Sequence, residues 1–242
     1  MAETSKWQGF LDGAHVDDAV FTLRPDYRAL LLAVDGLAPG PTDDQSEALL
    51  RQAEKAAARL LADCPVEELP HVAAWRVAFR GFGAKPQRTR NSLEALTRRA
   101  PAGLPRVNRL TDIYNAISVL HQVPLGGEDL TRYAGSPRLI RATGTEAFQT
   151  VANGELVTEH PDPGEVVWCD DAGVTCRRWN WRQDPRTQLT PHTTAAFFIL
   201  DALAPMSDTD LAGAADELLA RLRRLGPDVR TASRLIARDC CP

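Results

Sequence analysis

Apolar and polar positions along the chain follow two periods, one helical and one of alternation. Ala29–Ala33 is a short apolar run ahead of Asp35-Gly36, which predicts a buried strand and a turn. Thr42 and Gln45 then have the spacing of a capping box, with Thr42 as the cap. Leu49, Ala53, Ala56, Leu60 and Leu61 follow on one helical face. Pro70 predicts a second helix start, with Val72, Trp75, Val77, Ala78, Phe79 and Phe82 as a broad apolar stripe ended by Gly81 and Gly83. Residues 1–24 show neither period and read as an irregular lead-in.

Asn108 is the expected cap of a helix over Arg109–His121, which buries Leu110, Ile113, Tyr114, Ile117 and Leu120. At about 100° per residue, Thr111, Asn115, Ser118 and Gln122 fall on a second, uncharged stripe. A solvent face normally carries Lys and Glu, so this stripe reads either as a polar seam or as the lining of a ligand site. Helix breakers follow from Val123 to Asp129. The period then becomes two, and strands are expected over Arg138–Thr143, Glu146–Val151, Glu165–Asp170 and Val174–Trp181. Asn153-Gly154 and Asp171-Ala172-Gly173 are hairpin turns. Ala195–Leu200 reads as a buried strand ending at Asp201. A last helix capped by Ser207 carries Leu211, Ala214, Leu218, Leu222 and Leu225, ahead of a basic, peripheral tail.

Two stretches carry unusual chemistry. In Cys176–Gln183, two tryptophans are interleaved with three arginines and two amides. Strict alternation puts Arg177, Trp179 and Trp181 on one face and Cys176, Arg178, Asn180 and Arg182 on the other. That predicts a pocket wall with Arg178, Asn180 and Arg182 inward and the indoles packed on the helices. The second stretch is basic: Lys85, Arg88, Arg90, Arg98, Arg99, Arg106 and Arg109 face one acid, Glu94. It reads as a solvated surface or as a strip that contacts phosphates.

Composition narrows the partners more than the chemistry. The 242 residues are 44% hydrophobic with a net charge of −4, so nucleic-acid contact has to be local, and no DNA partner is expected. No apolar run approaches the roughly 20 residues of a membrane span. The polar N-terminus lacks a secretion pattern. The five cysteines (Cys64, Cys169, Cys176, Cys240 and Cys241) form no CxxC and read as reduced cytosolic thiols, which points to a cytoplasmic protein. His15, His71, His121, His160 and His192 lack metal-ligand spacing and read as surface or capping residues, so no metal or cofactor is expected. No P-loop, HExxH or nucleophile elbow occurs. The residues by themselves give a mixed α+β protein with a polar pocket, and no reaction.

Three segments resemble a known family: RLTDIYNAISVLHQVPLGGEDL, GEVVWCDDAGVTCRRWNWRQ, and the threonine-rich lead into AAFFILDAL. They look like the B3/4 domain, the editing module of the beta subunit of bacterial phenylalanyl-tRNA synthetase, and especially its freestanding relatives. Asp112, Asn115, Pro124 and Asp129 fall on the module's frame. Gly126 stands where the synthetase has a pocket histidine. Its pocket glutamate falls at Ile199 by direct count, or at Asp201 after a two-residue shift. The resemblance implies one B3/4-type α+β domain over residues 1–242, with mixed β-sheets packed against helices. Residues 1–70 would be a scaffold extension, 71–203 the core, and 204–242 a helix and tail. It implies an aminoacyl-tRNA partner and hydrolysis of a wrongly charged aminoacyl ester. Asn115, Ser118, Arg178, Asn180 and Arg182 would be catalytic, and Gly126, Gly127, Glu128, Asp129, Gln183, Thr190 and Thr193 would bind substrate. Lys85, Arg88, Arg90, Arg98 and Arg99 would contact RNA. A tRNA- or amino-acid-binding module without hydrolysis, and an enzyme for a small metabolite, remain the alternatives.

Overall fold

A computed structural model describes residues 7–238. In chain order these form α1 (Gln8–Asp12), β1 (His15–Val16), α2 (Asp18–Leu23), β2 (Arg28–Asp35), α3 (Asp44–Asp63), α4 (Pro70–Gly81), α5 (Ser92–Arg99), α6 (Arg109–His121), β3 (Leu125–Asp129), β4 (Arg138–Arg141), β5 (Phe148–Ala152), β6 (Glu155–Glu159), β7 (Val166–Cys169), β8 (Val174–Arg177), β9 (Arg182–Gln183), β10 (Ala195–Ala202), α7 (Asp208–Leu222) and β11 (Arg230–Ala237). The class is mixed α+β, as expected. A four-stranded sheet runs β11-β2-β10-β3, a five-stranded sheet runs β1-β4-β7-β8-β9, and β5-β6 is a separate hairpin.

The four-stranded sheet is covered on both faces, which is why β10 is apolar at nearly every position rather than alternating. One face sets Leu32, Val34, Ala196, Phe198 and Leu200 against the apolar stripes of α3, α6 and α7. The other face sets Leu31, Ala33, Phe197 and Ile199 against α1, α4 and the five-stranded sheet. Helix α3 starts one residue later than its predicted cap. Asp43 accepts from the Ser46 N–H while the Ser46 hydroxyl accepts from the Asp43 N–H. Thr42 instead donates to Asp112 at 2.5 Å. Val77, placed in the apolar stripe of α4, faces outward with 58% of its surface exposed.

Both chain ends carry structure that the periodicity missed. Residues 7–24 hold two short helices and β1, and part of the expected peripheral tail is β11. That strand pairs with β2 in register from Arg230↔Asp35 to Ala237↔Arg28. It is half-exposed and carries Arg230, Thr231, Ser233 and Arg234, so it lacks a strand's usual apolar signature. Cys64, Cys169 and Cys176 are free thiols, whereas Cys240 and Cys241 lie outside the described residues. No described helix is long and apolar enough to cross a membrane.

Candidate functional site

The floor of the site is set by strand register. Phe197 pairs with Glu128 and Ile199 with Gly126, so Glu128, Gly126, Ile199 and Asp201 share one face of β3 and β10. Asp201 lies four residues beyond Glu128's partner, about 13 Å along the strand. The two carboxyls therefore close opposite ends of one floor. Between them the position of a Gly126 Cβ has no atom within 4 Å, so the floor there is open space. Gly127 is the opposite case. A Cβ there would meet Leu189, Phe198 and Tyr114 at 2.9 Å, so glycine permits the close packing of α6 on the sheet.

The wall is the stretch Cys176–Gln183, built differently from its alternation pattern. β8 ends at Arg177, and the chain reverses through residues 178–181 before β9. Arg178 and Trp179 take the left-handed backbone region, with φ of 47° and 67°. Such residues cost on the order of 1–3 kcal/mol each, so their surroundings must hold them there. Glu165, itself buried, accepts from Arg177 Nε and Nη2 at 2.9 and 2.8 Å and from the Arg178 N–H at 3.2 Å. The Trp179 ring is fully buried, with centroids 4.9 Å from Tyr27 and 5.1 Å from Trp75.

This reversal corrects the expected facing. Asn180 and Trp181 line the cavity. Arg178 points away, donates to Thr89 Oγ1 at 2.5 Å, and lays its guanidinium 4.5 Å from the Trp181 ring. Arg182 also lies outside the cavity, 5.8 Å from the same ring. A tight turn breaks period two, and this one is made by non-glycine residues that give no turn signal.

The cavity has a volume of about 260 Å³, below the roughly 300–1,000 Å³ of drug-sized ligand sites and suited to a smaller group. Asp201 accepts from the Tyr27 hydroxyl at 2.6 Å and from Asn180 Nδ2 at 3.2 Å. Glu128 accepts from the Tyr133 hydroxyl at 2.7 Å. Burial pushes each carboxyl up to about 7, although those donors pull the other way. The Cys176 thiol also lines the cavity, and burial together with both acids pushes it well above its ordinary range. Five polar groups at the cavity have no hydrogen-bond partner among the described residues: the Asn115 amide, Asn180 Oδ1, Ser92 Oγ and the indole N–H groups of Trp168 and Trp179. Gln183, also lining, donates to the Gly127 carbonyl at 2.9 Å.

Other expected site residues are engaged elsewhere. Ser118 is fully buried and donates to the Val123 carbonyl at 2.6 Å, which closes the end of α6. Asp129 accepts from the Thr131 N–H and hydroxyl and from Thr193 Oγ1 at 2.8 Å, while Thr193 also ties down Thr190. Thus Asp129, Thr190 and Thr193 brace a loop. Of the α6 polar stripe only Asn115 reaches the cavity. His71, expected at the surface or as a cap, is buried, and its Nε2 accepts from Trp75 Nε1 and the Leu203 N–H. Ser92 and Trp168 also line the cavity, and no sequence pattern points to either. Asp201 had one residue-level signal, a carboxylate ending a wholly buried strand.

The basic strip is less free than its local sequence suggests. Arg106 pairs with Glu47 and Glu54, Arg109 with Asp43, and Arg98 with Glu67 and Glu94. Arg90 lies 3.6 Å from Glu94. Apart from Glu94, the partner acids come from distant segments. Lys85, Arg88 and Arg99 have no ion pair among the described residues. Arg88, Arg90, Arg98 and Arg99 surround a surface cleft that shares Ala95 and Trp181 with the cavity. Lys85, Arg88 and Arg178 line a neighbouring cleft.

The sequence model of the B3/4 domain matches residues 74–224, well over half of the chain. The chain belongs to the B3/4 domain family. Every cavity-lining residue falls within the matched B3/4 region, whereas Tyr27, which anchors Asp201, precedes it. Among solved structures, an N-terminal fragment of the phenylalanyl-tRNA synthetase beta-subunit from Pyrococcus horikoshii aligns at 13% identity with a TM-score of 0.46. The alignment covers 93% of this chain and 52% of that one, so the B3/4 chain spans about half the fragment's length. No curated protein matches the sequence.

Proposed function

We propose that the protein is a trans-acting editing hydrolase that removes a wrongly attached amino acid from tRNA. The observation that carries the reading is the sharing of Trp181 and Ala95 between the acid-ended cavity and the four-arginine cleft. An aminoacyl group in the cavity then leaves its phosphate backbone beside Arg88, Arg90, Arg98 and Arg99. Membership of the B3/4 family supports the same reading.

Glu128 holds the α-ammonium, and the unpartnered Asn115 amide orients water and ester. The water oxygen bonds to the ester carbon, the bond from that carbon to the ribose oxygen breaks, and the proton ends on the freed ribose hydroxyl. With Arg178 and Arg182 outside, the Asn115 amide and the Ser92 hydroxyl are the donors we assign to the developing oxyanion. One such donor is worth about 2.7–4 kcal/mol. An aminoacyl ester is already activated, so positioning supplies the rest without a strong base.

The test is a deacylation screen over a panel of mischarged tRNAs with the wild-type chain, Asn115→Ala and Glu128→Gln. Release of at least one amino acid, lowered about 100-fold by Asn115→Ala, is expected. No release from any tRNA, or release indifferent to both substitutions, would overturn the reading. Salt-dependent tRNA binding without turnover would make it a recognition module instead.

A further inference from the structure

We infer that the amino acid taken by the cavity has a cationic side chain, with Asp201 and Asn180 as the specificity-determining pair. The inference rests on the reading of the cavity as an aminoacyl site and names the class of amino acid removed.

The cavity is one-sided in charge. Glu128 and Asp201 line it, and no lysine, arginine or histidine among the described residues does. The floor separates the two acids by about 13 Å along the strand, whereas a charge-assisted contact is about 2.7–2.9 Å long. One ammonium does not serve both. An α-ammonium at Glu128 therefore leaves Asp201 to a second group. Both acids are buried, and Asp201's partner Tyr27 is fully buried whereas Glu128's partner Tyr133 is half-buried.

An independent observation lies at the Asp201 end. Asn180 is only 8% exposed and spends its Nδ2 on Asp201, while its Oδ1 is buried and unpartnered. A buried acceptor without a donor is costly, and a ligand N–H removes the cost. An ammonium bonds to Asp201 and Asn180 Oδ1 together. A neutral hydroxyl satisfies one of them and leaves the carboxylate's charge uncompensated. Burial that pushes both carboxyls up to about 7 is offset when each faces an ammonium.

The experiment compares binding of L-lysinamide, L-norleucinamide and L-tyrosinamide to the full chain by calorimetry. These probes keep the α-ammonium and differ at the side-chain end. Lysinamide is expected to bind at least about tenfold more tightly than norleucinamide, a difference of about 1.4 kcal/mol. Asp201→Asn should bring that ratio to within about twofold. Equal or tighter binding of norleucinamide or tyrosinamide, a ratio indifferent to Asp201→Asn, or no binding of any probe at millimolar concentration overturns the inference. The wild-type comparison stands even where the variant fails to fold. A lysinamide preference without deacylation of any tRNA supports the cationic site and sinks the hydrolase. Deacylation of mischarged tRNAs without a lysinamide preference does the reverse.

Discussion

The two faces of the four-stranded sheet are made by the same strands and do opposite things. On one, Ala196, Phe198, Leu200 and Ala202 of β10 pack with apolar side chains of α3, α6 and α7. On the other, the intervening residues lead from Ala195, Phe197 and Ile199 to Asp201, which ends beneath Tyr27 and Asn180. One residue of register thus separates scaffold from chemistry. The helical face tolerates only volume-conserving change. The other face accepts a cavity, two buried carboxyls and a left-handed turn because ion pairs and aromatic packing hold its rim.

The largest effect that would break this contrast is on the scaffold side. Leu200→Ala, at a fully buried position, should destabilise the fold by about 2–5 kcal/mol in denaturant melts. A loss below about 1 kcal/mol would mean that this face is not the close-packed one.

The next effect belongs to the cavity face. Asp201 ionises near 3.9 in an unfolded chain and near 7 when folded. Between those values the native state keeps a proton that the unfolded state has lost. Stability from this group is complete below about pH 4, falls as pH rises to about 7, and is flat above. Glu128 acts in the same direction. Asp201→Asn should make the fall between pH 4 and 7 shallower and leave the variant more stable than wild type at pH 8. Leu200→Ala should leave the slope alone. Melts at pH 5 and 8 decide it, and parallel slopes for wild type and Asp201→Asn would remove the buried carboxylate from the account.

The sequence disclosed these two faces unequally. The scaffold was legible because helical period and capping residues are local: Pro70, Asn108 and Ser207 sit where α4, α6 and α7 begin. The cavity was legible at Asn115, Glu128, Asn180 and Gln183, through a polar stripe and a resemblance. What stayed hidden was set by distant partners. Nothing near residue 178 announces that Glu165 and Val166 hold a reversal there, so alternation alone points the arginines inward and Trp181 outward. Likewise Ser118 and Thr193 are polar residues on suggestive elements, but their partners, Val123 and Asp129, are found only in three dimensions.

Asn115 sharpens the contrast at lower energy. Its amide has no partner to strand, so Asn115→Ala should change stability by less than about 1 kcal/mol, while deacylation falls about 100-fold. A stability loss as large as that of Leu200→Ala would make Asn115 part of the scaffold instead of the site.

The smallest effect on the fold is expected at the arginine cleft, and it separates free from engaged cations on the cavity's own rim. Arg88 and Arg99 are exposed and carry no ion pair among the described residues, whereas Arg98 bridges Glu67 and the buried Glu94. Arg88→Gln with Arg99→Gln should shift stability by no more than about 0.5 kcal/mol. Arg98→Gln should cost more, because it takes one of the cations from a carboxylate that has no exposure to water. For tRNA binding the order reverses. Each phosphate contact contributes about 0.7–0.9 to the slope of log affinity against log salt, so the double variant should flatten that slope by about 1.4–1.8. If Arg88 and Arg99 left the slope unchanged while Arg98→Gln flattened it, the ion-paired arginine would be the RNA contact. Glu94 would then have to release it on binding, and the free charges would be solvated surface after all.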